Sequence, residues 1–421
     1  MFFKRFTNPI YGISEVTNYF FGFLELYIKW REYRFIGQNK KRPPEVRRYL
    51  SEESYENLKA LNRQILLVHL VHGTWLTLVQ IIFSDELAHI SLWNLSVRLS
   101  KNSTNEMYVS CIFIFLVTCK DFFLELPVNI YIYYNKGFKL HETLQGLSFD
   151  FCLKQFAQYA LLTSFIYISK LVPNISKMSL IASSIAFILS LAYAREAVII
   201  SSLIDGTTKR LEDKVLLKEL RPYLKKMSFP EENLYVLQME SADHVPNAFT
   251  TGHSFLNNQK IVVSNNFIGK NKHLNDCCTV KETIAIILHE LGHVFYNHTT
   301  KSFFVELLIT SSTCIAFVLL YQDIVFESFG FHTRPIVIGM LIRMDLLLGY
   351  NMVCAFAYML FKRHCEYQAD LFSFAFSKLH LRNALIKIHL IKATLPEHDP
   401  WYSAWNNGHP SLMERLRYLY E

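Results

Sequence analysis

The chain has 421 residues, 51% of them hydrophobic and 15% aromatic, and a formal net charge of +7. That is too apolar for an ordinary soluble enzyme of two or three domains. The basic excess gathers in stretches such as 31–48, without the basic and aromatic interleaving of a nucleic-acid binder, so it points to anionic lipid and to no nucleic acid.

In chain order, apolar stretches fall at 10–29, 62–83, 107–134, 153–173, 177–204, 302–321 and 334–360. Each is long enough to cross about 30 Å of hydrocarbon, which predicts a mainly α, polytopic membrane protein with seven transmembrane helices. Asn8-Pro9 and Glu15 interrupt the first stretch, and it has no small-residue cleavage site, so it reads as a retained segment. The loop that follows holds Arg31, Arg34, Lys40, Lys41, Arg42, Arg47 and Arg48, which should keep it in the cytosol. Alternation then places 135–152, 205–300 and the C-terminal tail on the cytosolic side, and 84–106, 174–176 and 322–333 on the lumenal side. The glycosylation triplets at Asn94, Asn102 and Asn174 all fall in those lumenal loops. Lys120, Asp121, Glu125, Arg195, Glu196, Arg343 and Asp345 lie within the stretches themselves. Exposure of such charges to lipid is costly, so they should pair or line a wet cavity. The eight cysteines show no Cys-x-x-Cys spacing, as expected of reduced thiols in the membrane or facing the cytosol.

Composition turns soluble after the fifth stretch. Residues 207–227 have the periodicity of a short membrane-surface helix, and 233–238, 246–252 and 259–264 read as strands. A small sheet ahead of a metal-binding helix can offer its edge to an extended peptide, with Asn247 and Ala248 on that edge. His289-Glu290-Leu291-Gly292-His293 follows. Imidazoles four apart share a helix face and can grip one zinc ion, and Glu290 beside the first is placed as general base.

A third ligand must come from elsewhere. Thr299 and Tyr296 stand where a metzincin would need its His and Gly, and Asp205-Gly206 lies upstream of the His pair rather than after it. His298 is five residues from His293, about 140° around a helix, and is predicted to face away. Glu366 is the favoured ligand, because Asp370 is co-facial with it and can fix the tautomer of a ligand imidazole. His364 and Cys365 are rival ligands without that relation. In the tail, His409 precedes Pro410 at a helix start, and Arg415 follows about two turns on. His409 can donate to an oxyanion, and Arg415 can hold a peptide carbonyl or carboxylate.

With these motifs in place the chain resembles the type I CAAX prenyl proteases over nearly its whole length. The resemblance rests on 289–293 continuing to Asn297-His298-Thr299, on Glu366-Tyr367-Gln368-Ala369-Asp370, on Pro246-Asn247-Ala248-Phe249 with Gly252, and on His409-Pro410 with Glu414-Arg415-Leu416. Leu126-Pro127, Lys136-Gly137-Phe138 and Phe149-Asp150 add to it. It implies seven helices enclosing a water-filled chamber, with a small cytosolic-side α+β zinc-protease domain. It also implies one Zn²⁺ per chain on His289, His293 and Glu366, Glu290 as base, Asp370 behind the ligands, and Asn247, Ala248, His409 and Arg415 at the substrate. The implied substrates are prenylated CAAX proteins or peptides in the bilayer, with no required protein partner. The implied reaction is removal of the last three residues, together with a second upstream cut in selected precursors, at the endoplasmic reticulum and inner nuclear membrane. A membrane quality-control protease that clears misfolded or stalled chains would use the same site. The expected segments are 1–204 (five spans), 205–300 (protease segment), 301–360 (two spans) and 361–421 (helical tail that completes the metal site).

Overall fold

The computed structural model describes residues 9–38, 41–82, 85–135, 139–171, 208–238, 248–265, 278–391 and 394–420. The expected fifth span (177–204), Arg195, Glu196, Asp205-Gly206 and the candidate Asn247 lie outside the described residues. The described chain is mainly helical, with one small sheet.

The helices are α1 (Pro9–Gly37), α2 (Glu52–Ile82), α3 (Asp85–Leu99), α4 (Glu106–Asn135), α5 (Leu140–Leu171), α6 (Lys214–Lys226), α7 (Val280–Phe295), α8 (His298–Leu320), α9 (Asp323–Ser328), α10 (Ile336–Leu346), α11 (Leu348–Ile391), α12 (Pro400–Asn406) and α13 (Leu412–Tyr420). Among the described residues two helical segments, Glu106–Tyr134 and His298–Leu320, are long and apolar enough to cross a membrane. The bent pair formed by α10 and α11 makes a third if it counts as one span. Most of the other expected spans are helical, but α1, α2 and α5 carry too much polarity to pass on length and composition alone.

The chain divides into two compact units. The first comprises 1–30, 64–186 and 310–353, and its core gathers Tyr11, Phe113, Ile166, Phe326, Phe329 and Ile338. Within it Glu15, buried in α1, accepts hydrogen bonds from Tyr11 and Tyr19, one turn to either side, so its carboxylate needs no lipid contact. Lys120 and Asp121 pair with each other at 3.4 Å.

The second unit comprises 31–63, 187–309 and 354–421. Its sheet contains β1 (Thr208–Arg210), β2 (Leu234–Leu237), β3 (Ala248–Thr251) and β4 (Lys260–Ser264), in the spatial order β1-β2-β4-β3. β2 and β4 run parallel, the outer pairs antiparallel, and Ala248 stands opposite Val263. Gly252 closes the turn after β3 at φ 85°, and a Cβ there would lie 2.3 Å from the Asn258 carbonyl oxygen, so only glycine fits.

α7 starts with a capping box. Thr279 Oγ1 accepts from the Glu282 amide, and Glu282 Oε2 accepts from the Thr279 amide at 2.8 Å. Ile284, Ile287, Leu288 and Leu291 then sink into a core shared with Leu216, Leu220 and Leu224 of α6. Each fully buried aliphatic side chain contributes about 1.5–3 kcal/mol. The apolar stripe of α6 is therefore spent on this core, not on a membrane surface.

Candidate metal centre

α7 and α11 bring the site together. Gly292 makes this possible: a Cβ there would lie 3.0 Å from the Ala369 Cα and 3.1 Å from the Phe372 Cβ, so glycine lets the two backbones approach one turn from the ligands. His289 Nε2 and His293 Nε2 then lie 3.2 Å apart. Glu366 places Oε2 3.6 Å from the first and Oε1 3.6 Å from the second. Donors about 2.0–2.1 Å from a tetrahedral ion sit roughly 3.3 Å from one another. The observed separations fit such an ion, and these three residues are the one group of that kind among the described residues. Neither His364 nor Cys365 belongs to it.

The surroundings are buried and charged. Asp370, with no exposed surface, places Oδ1 3.0 Å from His289 Nδ1, within ion-pair distance though without the alignment of a well-formed hydrogen bond. Arg415 forks onto Asp370, with Nε donating to Oδ2 at 2.7 Å and Nη2 to Oδ1 at 2.5 Å. Its Nη2 also stands 3.8 Å from Glu366 Oε2. His409 Nδ1 lies 3.0 Å from Glu366 Oε1, while most of its ring is exposed.

The protonation pattern follows from this packing. Burial alone would lower His289, but Asp370 and Glu366 outweigh it and raise its pKa to about 10. Burial and the neighbouring His289 push His293 down to about 3. Burial raises Glu290 above the usual carboxylate range, against the pull of His289 and Thr250. For Glu366 burial pulls the other way, yet the neighbouring imidazoles of His289 and His409 hold it well below that range. Burial likewise opposes ionisation of Asp370, and the Arg415 guanidinium lowers it regardless.

A cavity of about 750 Å³ opens onto these groups. Ala248, Phe249 and Thr250 of β3, the terminal strand of the sheet, line one wall, and His409 and Arg415 line another. Of the sequence candidates, His289, Glu290, His293, Glu366, Ala248, His409 and Arg415 all border this space, and Asp370 stands behind His289.

Three further groups were not evident from sequence. Thr250 Oγ1 donates to the Glu290 carboxylate at 2.9 Å, a pairing across 40 residues that only the sheet reveals. Arg363, one turn before Glu366, donates to Ser403, to the Asn407 carbonyl and to Glu414, and so pins the loop that carries His409. His298 does not face away. α7 stops at Phe295, Asn297 takes a left-handed φ of 56°, and the chain turns back to set His298 Nδ1 2.9 Å from His293 Nδ1. The 140° projection fails because the helix does not continue through the intervening residues.

A paired-His and glutamate centre on two packed helices, with a carboxylate beside it and an edge strand alongside, is the arrangement of a metallopeptidase. Residues 210–421 match Peptidase family M48, and the chain belongs to that family. Residues 32–135 match the CAAX prenyl protease N-terminal region described as five membrane helices. A CAAX prenyl protease 1 homolog from Oryza sativa subsp. japonica is 32% identical over 211 residues, 50% of this chain and 48% of that protein. The chain thus spans about half the length of the plant relatives it matches. The Mus musculus homolog is 27% identical, with 78% of each chain covered. The probable CAAX prenyl protease 1 of Schizosaccharomyces pombe is 26% identical, over 93% of this chain and 84% of that one. The crystal structure of S. mikatae Ste24p has the same fold, with a TM-score of 0.75 at 22% identity over 98% of this chain and 99% of that chain.

Proposed function

We propose that this chain is a zinc metalloendopeptidase that removes the C-terminal tripeptide after a prenylated cysteine, and that it makes a second, upstream cut in selected precursors. The observation that carries the reading is the convergence of His289, His293 and Glu366 within 4.8 Å, beside Glu290 and an edge strand in one cavity. The similarity to CAAX prenyl protease 1 and its homologs supports the CAAX substrate class. The proposed setting is the endoplasmic reticulum and inner nuclear membrane, with seven spans around a water-filled chamber and the catalytic segment and C-terminus facing the cytosol. In this reading 1–204 and 301–360 carry the spans, 205–300 the protease segment and 361–421 the completing tail.

His289, His293 and Glu366 would hold the zinc, which when bound supplies Lewis-acid polarisation and an acidified water. The chain's own groups do the rest. An extended peptide adds to the edge of β3, with Asn247 and Ala248 beside the scissile bond. Glu290, anchored through Oε2 by Thr250, takes the proton of the attacking water at Oε1. Water oxygen adds to the carbonyl carbon, the C–N bond breaks, and Glu290 returns the proton to the departing amine. His409 donates to the oxygen that gains charge. Arg415 locks Asp370 and adds positive charge on the substrate side of Glu366.

The test is tripeptide release from a farnesylated CAAX peptide and its unmodified twin, with and without chelator. Release should stop with chelator, and Glu290→Gln should keep its zinc while losing at least about 10²-fold in turnover. Equal cleavage of both peptides would replace prenyl processing with the quality-control reading, and an active Glu290→Gln would remove it as the base.

A further inference from the structure

We propose that His298 and Gln368 form a neutral positioning pair that fixes the tautomer of His293 and thereby sets the affinity of the metal centre. The inference rests on the metal-binding reading above and deepens it.

The tautomers follow from two distances and one donor count. His298 Nε2 lies 3.0 Å from Gln368 Oε1, an atom that can only accept, so the ring proton of His298 sits on Nε2. Nδ1 of that neutral ring is then a lone pair. It lies 2.9 Å from His293 Nδ1, and one proton must occupy that gap, so His293 supplies it. His293 Nε2 is left as a lone pair, and it faces the point shared with His289 Nε2 at 3.2 Å and Glu366 Oε1 at 3.6 Å. The opposite assignment would leave the Gln368 oxygen without a donor. It would also put a proton on His293 Nε2, in the position where a metal must bind.

The ring of His298 is held for this task. It is 3% exposed and stacks on Tyr296 with centroids 5.6 Å apart and planes at 21°. It meets His293 edge-on at 5.0 Å. The two ligand imidazoles are thus oriented differently: His289 by the Asp370 anion, His293 by an uncharged imidazole and amide. A second buried carboxylate at His298 would need its own compensating cation, whereas a neutral relay sets direction without adding charge.

The test is zinc affinity of the full-length protein by chelator competition, with the visible absorption of the Co²⁺-substituted protein as a second readout. His298→Ala should weaken zinc binding by about 10- to 100-fold and alter the Co²⁺ spectrum. Gln368→Leu, which replaces the amide of a half-buried residue with an apolar side chain of similar size, should weaken it in the same direction. The double variant His298→Ala/Gln368→Leu should be no worse than His298→Ala alone, because Gln368 acts through His298. Wild-type affinity and an unchanged Co²⁺ spectrum in His298→Ala or Gln368→Leu would overturn the inference, even if metal-free thermal stability fell. Failure of the wild-type protein to bind zinc would instead overturn the metal centre itself.

Discussion

Buried Glu366 and Asp370 each lie within ion-pair range of buried His289 and of the half-buried Arg415, and an uncompensated charge in such a place is costly. Two carboxylates face one guanidinium, so without metal the cluster is short of one positive charge. The proton on His289 supplies it, which is the physical reason its pKa rises to about 10. Zinc must displace that proton. The sign is fixed by the direction of the shift. Because the folded value lies above the ordinary 6.5, the proton's contribution to metal-free stability is complete below pH 6.5 and is lost as pH rises through about 10. Zinc affinity should therefore climb about tenfold per pH unit between roughly 7 and 9 and level off above about 10. Chelator-buffered titrations across that range measure the slope, and a flat profile would show that His289 is already neutral before the metal arrives.

At the scale of elements, the metal-bearing turn depends on how closely α7 meets α11. Gly292 has the Ala369 backbone 3.0 Å from where its Cβ would be, and backbone cannot swing aside as a flexible side chain can. Gly292→Ala should force the helices apart by a few tenths of an ångström, at about 1–3 kcal/mol of stability. It should also weaken zinc binding, because the His pair rides on one helix and Glu366 on the other. A thermal midpoint and a zinc affinity both equal to wild type would show that the contact is slack.

The same packing explains what could be read in advance. His289, Glu290, His293, Glu366 and Asp370 were legible because helical spacing sets their faces. Thr250 over Glu290 was not, since it depends on how the four-residue strand β3, paired antiparallel with β4, packs against α7, which local pattern does not specify. His298 was misplaced because periodicity cannot show a helix stopping. The left-handed residue that stops it is an asparagine, which tolerates that conformation but does not demand it.

Over the whole molecule, the number of spans and the proposed chamber turn on segments that are apolar yet carry charge. α10 and α11 meet at a 61° bend within one apolar run, and Arg343 and Asp345 lie in the turn before it. Each such charge facing lipid at the bilayer centre would cost about 2.5–3.5 kcal/mol on insertion scales. Irregular backbone at membrane depth is tolerated only where protein or water covers it. Bend and charges together therefore favour a wet face on this span. Single cysteines placed along 336–360, in a background without the native cysteines, should react with a membrane-impermeant maleimide in one helical stripe that includes the neighbours of Arg343 and Asp345. Protection of every position would mean that these charges are paired inside packed protein, and the chamber would lose its main physical support while the metal centre stood unaffected.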